Sequence, residues 1–177
     1  TLIESMGLSS IDFDPSLFWH RRHAMAEATL IACNGARRVA REDLVRVLPP
    51  QSSRTHFPIP HQDVVSVCEG TLQEAGYGIK SAEYALSQEG QQLFCTYTLT
   101  TEVANGVGVL AVGLRTSYNK TLPLGLVGGT RVFVCSNLSF RADLINVRRL
   151  HTKFAQKRFA EDIVGAIGKL PSFKETE

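Results

Sequence analysis

Gln92-Leu93-Phe94-Cys95-Thr96-Tyr97-Thr98-Leu99-Thr100-Thr101 is the stretch that decides the fold class. Leu93, Cys95, Tyr97 and Leu99 alternate with Phe94, Thr96, Thr98 and Thr100. A period of two belongs to a half-buried strand, whose successive side chains point to opposite faces. Just upstream, Gln88-Glu89-Gly90 reads as a turn and Tyr77 to Ser87 as the strand before it. Just downstream, Ala104-Asn105-Gly106 is a strong turn signal, and Val107 to Ser117 makes a third strand. Connections this short join antiparallel neighbours, so the three strands form a meander.

Helices are predicted on either side. From His61 to Ala75, after Pro60, the residues Val64, Val65, Cys68, Leu72 and Ala75 recur at helical spacing, and Gly76 closes the helix. His151 to Leu170 reads as a closing amphipathic helix with Thr152 as its N-cap. Its inner face carries Phe154, Phe159, Ile163, Ala166, Ile167 and Leu170, and its outer face Lys153, Lys157, Arg158, Glu161 and Asp162. Between meander and closing helix, Lys120 to Gly129 is too glycine-rich for a long helix and predicts a short helical turn laying its leucines on the sheet. Thr130 to Ser136, apolar at Val132-Phe133-Val134, predicts a fourth strand. Ahead of the core, residues 1–20 read as an arm docking through Leu17-Phe18-Trp19. Residues 21–33 read as a helix ending near Asn34-Gly35, and Glu42 to Val47 as a helical turn stopped by Pro49-Pro50. The sequence therefore predicts an α+β domain: an antiparallel β-meander of three to four strands flanked by helices, in the order helix–β-β-β–β–helix. Residues 1–50 would be an N-terminal arm with short helices, and 51–177 the core domain.

The composition fits an ordinary globular domain, with 177 residues, 44% of them hydrophobic and 20% charged. No apolar run reaches the roughly 20 residues that span a bilayer, so no membrane partner is expected. The start at Thr1 and the charged end Lys174-Glu175-Thr176-Glu177 read as cuts from something longer. Cys33, Cys68, Cys95 and Cys135 lie far apart among apolar or small neighbours. That spacing predicts buried, reduced thiols in a cytoplasmic protein, with neither a disulfide framework nor a metal site. Net charge is only +2, but Arg115 through Arg158 holds nine Lys and Arg against the single acid Asp143. Such a stretch attracts a polyanion if its cations share a face. A weaker basic stretch runs through Arg21, Arg22, Arg37, Arg38, Arg41 and Arg46.

Catalytic motifs are lacking. Gly125-Leu126-Val127-Gly128-Gly129 has no Gly-Lys-Ser/Thr ending, Ser117 has no nucleophile elbow, and the five histidines are scattered at 20, 23, 56, 61 and 151. No cofactor is expected. The best candidate site is the strand end Arg115 to Lys120. There Arg115 and Lys120 offer charge to phosphate, Thr116 and Ser117 offer hydroxyls, and Tyr118 offers a ring for a base. The competing reading is a polar turn in which Asn119 supplies the positive φ. Arg131 and Asn137 bracket the fourth strand, with Asn137 a candidate for a base edge. Arg148, Arg149, His151, Lys153 and Lys157 make a second candidate, a basic ridge at a helix N-terminus.

Three runs carry a resemblance. They are Gly113-Leu114-Arg115-Thr116-Ser117-Tyr118-Asn119-Lys120-Thr121, Gly128-Gly129-Thr130-Arg131-Val132-Phe133-Val134-Cys135-Ser136-Asn137-Leu138-Ser139-Phe140, and Arg148-Arg149-Leu150-His151-Thr152. Together they resemble the prokaryotic domain-of-unknown-function family 932, found in phages, plasmids and prophage islands. The chain departs from that family's pattern at Thr116, Tyr118 and Asn119, where the pattern has Asn, His and Asp. The resemblance implies a role in phage or plasmid DNA replication, recombination or host defence. The element order is also similar to the core of single-strand annealing proteins. The expectation is a non-enzymatic nucleic-acid-binding module, binding or annealing single-stranded DNA as a homo-oligomer. The alternative is a protein-interaction module directed at a host factor, with Leu17-Phe18-Trp19 as its anchor.

Overall fold

The computed structural model describes residues 29–32, 35–102, 109–130, 132–135, 140–142 and 145–168. It is α+β, built on a six-stranded antiparallel sheet. In chain order the elements are β1 (Thr29–Ile31), β2 (Arg37–Val39), a 3-10 helix (Arg41–Arg46) and α1 (His61–Glu74). There follow β3 (Ile79–Ser87), β4 (Gln92–Glu102), β5 (Val109–Ser117), β6 (Leu124–Gly129), β7 (Phe133–Cys135), β8 (Phe140–Arg141), β9 (Ile145–Arg149) and α2 (Ala155–Ile167). The large sheet runs β2-β3-β4-β5-β6-β9, and a small one runs β1-β7-β8.

The meander is present and longer than expected. Around the turn between β3 and β4 the backbone stays in the left-handed region at Gln88, Glu89 and Gly90. This aligns Ser87 with Gln92 and Ala85 with Phe94. The expected turn at 104–106 lies outside the described residues. Leu124 to Gly129, expected as a helical turn, is instead a fully buried strand between β5 and β9. Glycine disfavours strands in general, but on the neighbouring β5 the smallness of Gly113 admits the second sheet. A Cβ on Gly113 would lie 2.6 Å from Val134 Cγ2 and 3.0 Å from Val127 Cγ2 and Val132 Cγ1. The expected fourth strand also changes place: Phe133–Cys135 pairs with β1 and β8 in the small sheet and adds nothing to the meander.

One face of the large sheet packs on the helices. Val64, Val65, Cys68 and Leu72 of α1 and Phe159, Ile163 and Ile167 of α2 meet Cys95, Tyr97, Leu114, Leu124 and Leu126. The other face carries Ala85, Phe94, Ala111 and Val127, which meet Leu30, Val132 and Val134 of the small-sheet layer. The strand expected to be half-buried is therefore buried on both sides, from Gln92 through Leu99. Cys68 and Cys95 are fully buried free thiols, and burial pushes both well above the usual thiol range.

α1 starts at His61, after Pro60, as expected, and ends in a Schellman motif: Gly76 takes a φ of +83°, Tyr77 N–H donates to Leu72 O, and Gly76 N–H donates to Gln73 O. α2 is shorter than expected. Its N-cap is Phe154 without a side-chain cap, where Thr152 was expected, and Phe154 is exposed instead of facing inward. Ahead of the core, Thr29–Ile31 is a strand where a helix was expected, and β2 pairs with β3. The described part of the expected N-terminal arm is thus woven into both sheets. Residues 1–28, with Leu17-Phe18-Trp19, lie outside the described residues. Among the described residues no helix is long and apolar enough to cross a membrane.

Candidate nucleic-acid interface

The strand end and loop from Arg115 to Lys120 are folded inward. Arg115 is buried on the small-sheet face, in one row with Phe94, Gly125 and Arg148. Burial, and then the nearby Arg148 charge, hold its guanidinium below the ordinary arginine value. Thr116 is fully buried on the opposite face, with its Oγ1 3.3 Å from His151 Nε2. Ser117 Oγ donates to Leu122 O and accepts from Leu122 N–H, both at 3.0 Å. The positive φ falls on Lys120 (65°) and not on Asn119. Asn119 Oδ1 accepts from Thr121 N–H, and its Nδ2 donates to Gln88 Oε1. The loop is thus a turn closed by its own polar side chains, with Lys120 in place of Asn119 at the positive φ, and within 115–120 only Lys120 is exposed.

Tyr118, expected as a base-stacking ring, is 2% exposed and stacks on His61 with ring centroids 3.8 Å apart. Its hydroxyl accepts from His61 N–H at 2.8 Å and donates to Val47 O at 3.3 Å. It thereby satisfies one of the four N–H groups that a helix start leaves without partners. Tyr118→Phe should cost about 1–3 kcal/mol of stability, the usual penalty for stranding buried polar groups. It should leave the ligand affinity of the folded protein unchanged. Denaturant titration and binding measured on the same variant check both halves.

The second candidate group divides. Arg148 and Arg149 are consecutive on β9 and so point to opposite sides of the sheet. Arg149 Nε and Nη2 hold both carboxylate oxygens of Asp162 on α2, and this pairing keeps the Asp162 carboxyl below its ordinary range. Asp162 is thereby drawn off the solvent face expected for it. His151 is buried. Arg148, Lys153, Lys157 and Arg158 are exposed, and none joins an ion pair among the described residues. Lys153 Nζ lies 5.9 Å from the centroid of the Phe154 ring, which is 59% exposed. Lys157 and Arg158 follow Phe154 by three and four positions, on the same side of the helix. Leu150, 74% exposed, precedes this group. Arg131 and Asn137 lie outside the described residues.

In the weaker basic stretch Arg38 pairs with Glu83, Arg41 with Glu69 and Arg46 with Asp43, while Arg21 and Arg22 lie outside the described residues. One cluster had no sequence signal. His56, His61 and His151, up to 95 positions apart, meet beside Tyr118 and Thr116. Among the described residues no group of His, Cys, Asp and Glu has a geometry that could hold a metal ion. No family model matches the chain, and no curated protein or solved structure matches it either.

Proposed function

We propose that the chain is a non-catalytic nucleic-acid-binding module that prefers single strands and works in phage or plasmid DNA transactions. The observation that carries this reading is Phe154, an exposed aromatic ring at a helix start, with Lys153, Lys157 and Arg158 exposed around it and in no ion pair among the described residues. A ring and unpaired cations within one helical turn suit a strand whose bases are available to stack. Stacking contributes about 1–3 kcal/mol per base, and the cations follow the phosphates. The uncapped N-terminus of α2 adds a favourable field for an anion. Arg148 is exposed as well, but it points to the opposite side of the sheet from α2 and stands apart from this surface. The residues that bear the function are then Phe154, Lys153, Lys157 and Arg158, with Lys120 and Arg148 apart from them. Arg115, Thr116, Ser117, Tyr118, Arg149 and His151 serve the fold behind them.

Charge reversal at Lys153, Lys157 and Arg158 tests the reading. Single-strand affinity should fall together with its salt dependence, and Phe154→Ala should lower affinity while leaving the salt slope in place. Unchanged binding in the triple variant would move the site elsewhere. A second reading, a protein-interaction surface, draws on the apolar exposure of Leu150, Phe154 and Val164. It predicts association that ignores both nucleic acid and salt.

A further inference from the structure

Buried histidines lie next to this surface, and two of them have no acceptor among the described residues for a second proton. His61 Nε2–H donates to Gly90 O at 2.9 Å and His56 Nε2–H donates to Tyr118 O at 3.1 Å. His61 Nδ1 and His151 Nδ1 are buried without a hydrogen-bond partner among the described residues. The His56 and His151 rings meet edge to face at 5.3 Å, and Phe57 N–H donates to His151 O at 2.9 Å. These contacts, with the Thr116 bond, fasten residues 150–154 to the body of the domain. Lys153 and Phe154 follow within three residues of His151.

We infer that His61 and His151, packed with the His56 ring, form an acid-operated latch: protonation of His61 or His151 releases the 150–154 segment and takes Lys153 and Phe154 out of the binding geometry. This rests on the binding reading given above. A proton on His151 Nδ1 would place a cation beside the His56 ring with no acceptor to receive it. The other titratable groups around the cluster give no relief. The Tyr118 phenol is neutral, with burial pushing it up to about 12. Asp63, on the first turn of α1, acts on Tyr118 but makes no side-chain hydrogen bond to an imidazole. Arg115 lies on the other face of β5. Release of the segment lets water reach the charge. Burial first, and then the neighbouring imidazole, hold His151 at about 4; burial also holds His61 at about 4. The latch therefore opens between the ordinary histidine value near 6.5 and that limit.

Hydrogen exchange of the intact chain from pH 7.5 to 4.5 tests the latch, with protection corrected for the intrinsic pH dependence. The Phe57 amide should lose its protection at a pH where amides of β4 and β5 keep theirs. Protection of Phe57 retained to pH 4.5, or lost together with β4 and β5, would overturn the proposal. Affinity for a thymidine oligonucleotide at constant ionic strength should fall about tenfold or more over the same range in the wild type and hold steady in His151→Gln. Simple electrostatics predicts the reverse, because added protons attract DNA. Rising affinity would overturn the link between latch and surface. Absence of binding at every pH would remove the functional reading, while exchange still decides the latch. If His151→Gln fails to fold, exchange of the wild type decides by itself.

Discussion

Phe94→Ala is expected to lower stability by about 3–5 kcal/mol, enough to unfold a domain of ordinary stability near physiological temperature. Phe94 is 1% exposed and fills the layer between the two sheets, beside Leu30, Val132 and Val134. Had β4 been half-buried, as its alternation suggests, the ring would face water and the same change would cost well under 1 kcal/mol. The experiment therefore decides whether the small sheet covers that face. Chemical denaturation of the purified variant gives the answer, and Thr100→Ala, at an exposed position of the same strand, is the control.

The second large effect is acid lability. In the fold, burial lowers His61 and His151 from 6.5 to about 4, so the native state favours the neutral rings. A group whose folded value is depressed contributes its stability above the unfolded value and loses it as pH falls toward the folded one. The window is thus about 6.5 down to 4, with full stability at pH 7 and above. At pH 5 each ring alone accounts for a loss of about 2 kcal/mol. The two rings lie close enough to repel when charged, so their losses do not simply add. Urea midpoints at pH 7.5 and 5.0, compared with those of His61→Gln, check both the sign and the size. The variant should start less stable and lose less on acidification.

The sequence disclosed some of this architecture because the signals were local. Alternation over Leu93 to Leu99 located β4, helical spacing from Val64 to Leu72 located α1, and Gly76 marked its end. Where strands were missed, tertiary packing outweighed local preference. Leu124 to Gly129 holds three glycines yet forms a buried strand, because neighbours on both edges and both faces supply what propensity lacks. Ile145 to Arg149 carries an alternation of Ile145 and Val147 with Asn146 and Arg148 that reads as an edge strand once its arginines are not taken together as a ridge. In the candidate site, residue type alone could not separate surface from interior. Tyr118 and Phe154 are both aromatic beside cations, yet the first is locked under His61 and the second stands in solvent. The histidine cluster was illegible because its members come from three segments that only the fold unites.

The central claim is that the face around Phe154, Lys153, Lys157 and Arg158 binds single-stranded nucleic acid. Fluorescence anisotropy with labelled single- and double-stranded oligonucleotides, at 50 and 200 mM salt, tests it most directly. The account predicts tighter binding to the single strand. With about three phosphate contacts it also predicts a loss of roughly 20-fold in affinity between the two salt concentrations. No binding at low salt, or binding that ignores salt, would contradict it.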